Sequence, residues 1–348
     1  MARPIPVQNI YYLLLYAWNR LPEGRTVDVT GIHGPELPNL VAKVLVEGVR
    51  NLLRRGLDRG YVQSDEELMR PRGRIRISET LSRNLLSRAE VACTTDELSR
   101  DVLHNQIIKV TLERLSRTVG IDSSIRERII STLSGLTDIR SILLVARDFG
   151  RTQLHGNNAF YGFLLRVCAL AHEALIPDPR SGRFHFREIL TDPQTMGRIF
   201  QDFVRNFFRL EQTRFAVRGD QFKWPIETDV GRGHQLMPTM NTDVSLRDGN
   251  RTIIVECKWT PTTLQVIHGA QRLRSEHLYQ LNAYMTHHPQ QGKAEPFEGL
   301  LLYPQVDQPV DVALKLNAGW MRVRTINLYA NWHAIRDQLL GLLETPSA

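Results

Sequence analysis

Asp243, Glu256 and Lys258 have the residue types and spacing that phosphodiester hydrolysis requires. Between the first two lies Asp248-Gly249-Asn250, a turn signal separating two β-rich runs, so the runs are expected to pair as an antiparallel hairpin. Asp243 opens the first run while Glu256 and Lys258 close the second, and strand ends facing each other across a hairpin lie close in space. Residues two apart on a strand share a face, so Glu256 and Lys258 project together and Cys257 turns the other way. Magnesium takes one or two carboxylates together with water and phosphate oxygens. It polarises a phosphoryl oxygen and generates hydroxide from water. Asp243 and Glu256 supply the carboxylates in this reading, and the Cys257 carbonyl is placed to be a third metal ligand. Lys258 orients or deprotonates the attacking water, or stabilises the charge that develops at phosphorus. Glu-x-Lys by itself recurs by chance. What carries the reading is the whole order: a carboxylate, a turn, and the apolar run Thr252-Ile-Ile-Val255 delivering Glu-x-Lys. A turn aspartate beside a solvated strand face is the bland alternative.

The elements that must hold these residues follow from periodicity. Met196 to Leu210 reads as an amphipathic helix, then Phe222–Ile226, Asp243–Leu246 and Thr252–Glu256 as strands. Leu273–Thr286 is a helix, Gly299–Tyr303, Val310–Leu316 and Met321–Leu328 are strands, and Trp332–Leu343 is a closing helix. This order is α/β (or α+β), with helices flanking a central mixed sheet. Before it, helices are expected at Asn9–Leu21, from Leu37 or Pro38 to Arg55, at Val102–Val119, from Ser123 or Ser124 to Leu133, and at Phe160–Leu175. Asp101 is the expected N-cap of the Val102 helix. Arg74–Ile77 alternates strictly, Glu90–Thr95 is β-branched, and Ile142–Val145 is a short apolar strand or buried turn. With 348 residues, about two domains are expected, because single cores rarely grow past ~250–300 residues. The Pro- and Gly-bearing stretch Pro177–Arg183 is the linker candidate. The reading is a mostly helical N-terminal domain with a small β element, 1–180, and a second domain, 181–348.

A formal charge of +7 favours a polyanionic partner, since neutralising phosphates releases counterions. The apolar run Ile10–Trp18 is too short to span a bilayer and Met1–Val7 lacks signal-peptide character, so a cytoplasmic protein is expected. Cys93, Cys168 and Cys257 are scattered and odd in number, which speaks against a disulfide framework. The adjacent pair His287–His288 lacks metal-ligand spacing. No GxxxxGK[ST] loop occurs, so the chain is not expected to bind nucleotide. Tyr11, Tyr12, Tyr16 and Trp18 read as packing residues rather than base-stacking ones. Arg70, Arg72, Arg74 and Arg76 form a basic stretch that either meets phosphate or an acidic surface, or guards an edge strand.

Asp243…Glu256-Cys-Lys258 resembles the PD-(D/E)xK nuclease signature, and the following helix adds Gln280-Leu-Asn-Ala-Tyr284. That Gln-x-x-x-Tyr resembles the motif of RecB-like nucleases, which implies that Gln280 and Tyr284 face the active site and DNA. They lie on one helical face, with Glu276 a turn earlier. Further stretches are Ile5-Pro-Val-Gln-Asn-Ile-Tyr-Tyr12, Gly73-Arg-Ile75, Asp96-Glu-Leu-Ser-Arg-Asp101, Asn105-Gln-Ile-Ile-Lys109, Pro238-x-Met-x-Thr-Asp243, Asn282-Ala-Tyr284 and Leu301-Leu-Tyr-Pro304. Across nearly the whole chain these resemble the McrC family, nuclease subunits of McrBC modification-dependent (5-methylcytosine) restriction systems. The resemblance implies a C-terminal PD-(D/E)xK endonuclease domain using Mg2+, with Asp243, Glu256, Lys258, Gln280 and Tyr284 at the site and Asp243, Glu256 and Cys257 at the metal. It implies an N-terminal domain that docks into a McrB-like AAA+ GTPase hexamer, which recognises double-stranded DNA with modified cytosine and translocates. One departure is Gln201 in Phe200-Gln-Asp-Phe203, where the superfamily often carries a first-helix Glu. The alternatives are a non-catalytic AAA+ activator or DNA-binding scaffold, and a RecB-like repair nuclease.

Overall fold

A computed structural model of the chain describes residues 5–24, 27, 37–152, 154, 159–289, 297–306 and 308–345. The chain opens with α1 (Val7–Ala17) and α2 (Leu21–Gly24). These, with the residues from Glu188 onward, form one compact unit, and Leu37–Arg187 belongs to a second. The residues up to Gly24, expected in an N-terminal domain, therefore fold with the later half. The reason is aromatic packing that sequence order hides.

The unit around Leu37–Arg187 contains α3 (Leu37–Arg55), β1 (Gly60–Leu68), β2 (Arg74–Ile75), α4 (Ile77–Ser82), β3 (Val91–Ser99), α5 (Leu103–Ser116), α6 (Ser123–Leu133), α7 (Ala146–Arg151), α8 (Ala159–Ala174), β4 (Leu175–Pro177) and β5 (Phe184–Phe186). α3 buries the stripe Leu40, Val41, Val44, Leu45, Val49 and Leu52, as its 3.6-residue periodicity requires. β3 pairs antiparallel with β1 from Gly60↔Ser99 to Leu68↔Val91, and with β2 on its other side. The alternating stretch from Arg74 stops as a strand at Ile75 and becomes α4. Ile142–Val145 is irregular, with Leu143 exposed and Leu144 buried. Asp101 is not the cap of α5: the N-cap is Val102, and the Asp101 carboxylate instead accepts from Gln106 and Arg140. Pro177–Arg183 is not a linker but the bend of the β4–β5 hairpin. Asp178 closes that bend, its carboxylate accepting from the Arg180 amide at 2.9 Å and its carbonyl from the Gly182 amide at 3.0 Å.

The other unit continues with α9 (Pro193–Glu211), β6 (Ala216–Arg218), β7 (Gln221–Phe222), β8 (Met240–Asn241), β9 (Val244–Arg247), β10 (Thr252–Cys257), β11 (Gln265–Ile267), β12 (Ala270–Arg272), α10 (Ser275–His287), β13 (Phe297–Pro304), β14 (Asp311–Leu316), β15 (Gly319–Ile326) and α11 (Trp332–Gly341). Its centre is a mixed six-stranded sheet in the order β14-β15-β13-β10-β9-β6, with β10, β13 and β15 parallel. Every residue of β10 and β13 is buried, which needs cover on both faces. α10 covers one: Ile254 packs with Leu281, Met285, Leu301 and Tyr303. α9 packs on β6, β9 and β10 and, with α1, encloses an aromatic cluster. Asp192 caps α9, accepting from the Gln194 amide, and Pro193 follows at the first turn, where no amide is needed. Phe200, Phe203, Val204, Phe207 and Phe208 line its buried stripe. Tyr16 of α1 meets Phe203, Phe207 and Trp332 at ring distances of 5.9, 5.5 and 5.3 Å, and its hydroxyl donates to Glu211 at 2.5 Å. Tyr12 stacks on Trp332 at 4.6 Å, so these tyrosines are packing residues. No described helix is long and apolar enough to cross a membrane.

A charged triad locks the far end of the sheet. Arg251 donates twice to Glu298, at 2.6 and 3.0 Å, and Arg322 donates to the same carboxylate at 3.1 Å. All three side chains are almost wholly buried. The arginines also bind the Leu342, Leu343 and Glu344 carbonyls, tying the chain after α11 to β13 and β15.

Candidate active site

The turn at Asp248-Gly249-Asn250 forms as its residues dictate. Gly249 adopts φ 89°, the left-handed region that a side chain disfavours, and the Asp248 carboxylate accepts from the Arg251 amide at 2.9 Å. The β9–β10 register runs from Thr252↔Arg247 to Val255↔Val244. One step further, Asp243 faces Glu256. The Asp243 carboxylate accepts from the Cys257 amide at 2.8 Å, which joins the two strand ends.

Glu256 and Lys258 share the face of Ile254 that α10 covers. Lys258 Nζ donates to Glu256 Oε1 at 2.8 Å and to Gln280 Oε1 at 2.7 Å. Gln280 Nε2 donates in turn to the Tyr284 hydroxyl at 2.9 Å. The structure thus brings Asp243, Glu256, Lys258, Gln280 and Tyr284 into one connected array. Cys257 contributes its amide, and its buried thiol has its pKa raised by burial and then by the charges of Asp243 and Glu256. Glu276 stands apart, exposed on the first turn of α10 beside Arg274 and His277.

Burial dominates the electrostatics of the array. Burial, and then the charge of Asp243, push the Glu256 carboxyl up to about 7. Burial also raises Asp243, against the opposing pull of the Cys257 amide, Lys258 and Arg205. Glu256 Oε2 is buried and has no hydrogen-bond partner. Two buried carboxylates side by side, one oxygen of which lacks a donor, fit a hard divalent ion completing its shell with water. Among the described residues no group of three or more His, Cys, Asp or Glu converges as a metal-binding set. The protein ligands available are therefore the two carboxylates and main-chain oxygen, a set suited to magnesium.

Four contributions come from residues that spacing alone does not reveal. Arg205 of α9 grips the Asp243 carbonyl with Nε at 2.9 Å and Nη2 at 2.8 Å, fixing the main chain at the first carboxylate. Asp202, next to Gln201, supplies a negative charge that Asp243 feels. Asp202 also pairs with Arg205 at 3.4 Å. On α10, His277 pairs with the buried Tyr303 hydroxyl at 2.8 Å and is held down to about 4 by burial and then by the charge of Lys258. It is neutral near pH 7 and adds no positive charge beside the ammonium. Asp243 is steadied on its other side by Asp220, whose amide donates to the Thr242 hydroxyl at 2.8 Å and whose carbonyl accepts from the Thr242 amide at 2.9 Å.

Two of the four arginines in the basic stretch Arg70–Arg76 are engaged by nearby carboxylates of the same unit. Arg72 pairs with Glu66 and Glu97, both at 3.0 Å, and Arg76 pairs with Asp65 and Glu79.

A family model described as McrBC 5-methylcytosine restriction system component matches residues 10–304. The chain is 31% identical over 346 residues to the Type IV methyl-directed restriction enzyme EcoKMcrBC of Escherichia coli (strain K12), a match covering 99% of each. Among solved structures it resembles a chain in the refined half-complex of a tetradecameric assembly of Thermococcus gammatolerans McrB AAA+ hexamers with bound McrC. That likeness has a TM-score of 0.58 at 15% identity over 97% of this chain and 76% of the other, and is one of fold.

Proposed function

Because the chain belongs to the McrBC 5-methylcytosine restriction family, we propose that it is the DNA-cleaving subunit, a Mg2+-dependent endonuclease of the PD-(D/E)xK kind. In this reading it acts on double-stranded DNA containing modified cytosine and works with an AAA+ GTPase hexamer like the partner named in the Thermococcus assembly. The unit around Leu37–Arg187 engages and stimulates that partner, and the unit made of the residues up to Gly24 and from Glu188 onward carries the nuclease. The setting proposed for the reaction is the cytoplasm.

The observation that carries the proposal is the array itself: two buried carboxylates, an unpaired Glu256 Oε2, and Lys258 held between Glu256 and Gln280. Magnesium, when bound, polarises the phosphoryl oxygen and lowers the pKa of its water. Asp243 and Glu256 would hold it, with the Cys257 carbonyl as a third ligand. Lys258 is aimed by two acceptors, so its ammonium meets the phosphate with little reorganisation and stabilises charge as the phosphorane develops. Tyr284 braces Gln280, and Gln280 fixes the ammonium. Arg205 holds the Asp243 main chain so that its carboxylate stays opposite Glu256.

The test is cleavage of methylated and unmethylated plasmid by the full chain, with and without the GTPase partner, in Mg2+ or EDTA. Cleavage that requires methylation, partner and metal, and that Glu256→Gln abolishes, is expected. A wild-type complex that hydrolyses GTP but never cuts would leave an activator or scaffold instead.

A further inference from the structure

Between Lys258 and α10 the chain leaves the sheet and returns as a two-stranded ribbon, β11–β12, paired from Gln265↔Arg272 to Ile267↔Ala270. The tip is a two-residue reversal at His268 and Gly269, with φ of 50° and 76°, the left-handed pair that a tight hairpin turn needs. Its root is firmly held. Leu264 and Leu273 pack on the core under α10, Thr263 is buried, and Arg274 Nη2 donates to Thr262 Oγ1 at 3.0 Å, closing the base. Its outer half is exposed: every residue of β12, His268, and Val266 at 73%. Gln271 is steadied by Gln308 at 2.6 Å.

The charge is one-sided. From Lys258 to Ser275 there is no acidic residue, while Lys258, Arg272 and Arg274 are cationic. A protein that needed only a solvated loop here would have no reason to root it on the core or to clear it of acids. An acid-free excursion that leaves the sheet after Lys258, carries a core-rooted ribbon and ends at the helix bearing Gln280 and Tyr284 has the shape and charge of a groove-binding element. The major groove, about 12 Å wide, admits a two-stranded ribbon.

We propose that β11–β12 enters a groove of duplex DNA beside the scissile phosphate, with Arg272 and the His268 tip contacting phosphates or base edges. The proposal rests on the reading of this site as a nuclease. Entry of the ribbon sets the duplex at a fixed depth and angle over Asp243, Glu256 and Lys258.

All three native cysteines are buried, so a single exposed Ala270→Cys can be labelled selectively with an iron–EDTA reagent. In the full chain carrying Glu256→Gln, alone and with the AAA+ partner, radical cleavage of bound duplex is expected at a few adjacent base pairs on both strands. Arg272→Ala should weaken duplex binding several-fold and lower the salt slope by about one. Replacing 266–271 with Asn-Gly in the otherwise native chain should weaken duplex binding several-fold and lower the salt slope while leaving Mg2+ binding unchanged. Absence of cuts in a formed complex would overturn the proposal. So would a shortened ribbon with wild-type affinity and slope, or burial of Ala270→Cys by the partner without DNA. Failure of the nuclease reading looks different: the radical cuts appear, yet the wild-type chain never cuts under any metal or partner condition.

Discussion

Lys258 is the residue at which enzyme and scaffold part company. A structural metal or a passive DNA-binding face needs carboxylates or cations, but not an ammonium aimed by Glu256 and Gln280 into the space beside Asp243. Lys258→Ala is expected to lower the cleavage rate by ~10²–10³, the usual cost of removing one such stabilising donor. Metal affinity should hold or rise slightly, because a positive charge leaves the site. Normal cutting by Lys258→Ala in the plasmid assay would end its catalytic role. Arg205 makes a complementary case. It acts through Asp243, so Arg205→Ala should weaken Mg2+ binding and activity by about 10–100-fold, as loss of residues that orient ligands typically does. Arg205→Lys should recover little, since an ammonium cannot reproduce a two-pronged grip. Calorimetric Mg2+ titration beside a melting curve decides: equal metal affinity at lower stability would make Arg205 merely structural. Asp243, Glu256 and Lys258 were legible because a hairpin turn and period-2 alternation are local rules. Arg205 was not, because its 38-residue separation from Asp243 is closed only by packing α9 on the sheet.

At the scale of elements, sequence reading succeeds where burial imposes a period and falters where pairing alone holds a segment. α3 follows its expected apolar stripe closely, and α6 and the buried strands β10 and β13 lie within a residue or two of their expected bounds. β1 was not readable: Gln63, Ser64, Asp65, Glu66 and Glu67 carry no apolar alternation, and its strand form comes from pairing with β3. The ribbon β11–β12 has three residues per strand, too few for any period to show. Two element-level predictions follow from charged groups. Glu298→Ala would leave Arg251 and Arg322 buried without their shared carboxylate, and breaking such a cluster costs about 3–5 kcal/mol. Chemical denaturation should show that loss with DNA-independent origin, and a change under 1 kcal/mol would contradict it. The second concerns Asp220. Burial opposes its ionisation, but hydrogen bonds from His288 and Ser245 and the charge of Arg247 outweigh burial and hold it down to about 2. Its folded pKa lies below the unfolded value near 3.9, so the stabilisation is complete above about 4 and is lost as pH falls from there through about 2. At neutral pH it amounts to roughly 2 kcal/mol. Asp220→Asn should flatten that part of the stability–pH curve, and an unchanged acid limb would refute the assignment.

For the molecule as a whole, the unit that holds the site begins before the helices that separate it in sequence. Nothing in the run Val7–Ala17 announces that its partners are Phe203, Phe207 and Trp332, because an apolar stripe specifies a buried face and not what buries it. α1 buries Ile10, Leu13, Leu14, Leu15 and Tyr16, and Asn9 donates to the Leu328 and Ala330 carbonyls, both at 2.8 Å. At about 1.5–3 kcal/mol for each large apolar side chain, losing this helix removes on the order of 10 kcal/mol, comparable to the entire stability of a typical domain. A fragment of 188–348 is therefore expected to be insoluble or molten, exposing the aromatic face of α9. The same fragment co-expressed with 1–24 should recover a cooperative melting transition and Mg2+ binding. If partner stimulation resides in the other unit, 25–187 should raise the GTPase rate of the AAA+ hexamer as well as 1–187 does, since the first helix belongs elsewhere. A soluble 188–348 fragment that melts at the temperature of the full chain would refute the structural half of this argument. Loss of stimulation on removing 1–24 from a folded 1–187 would refute the functional half.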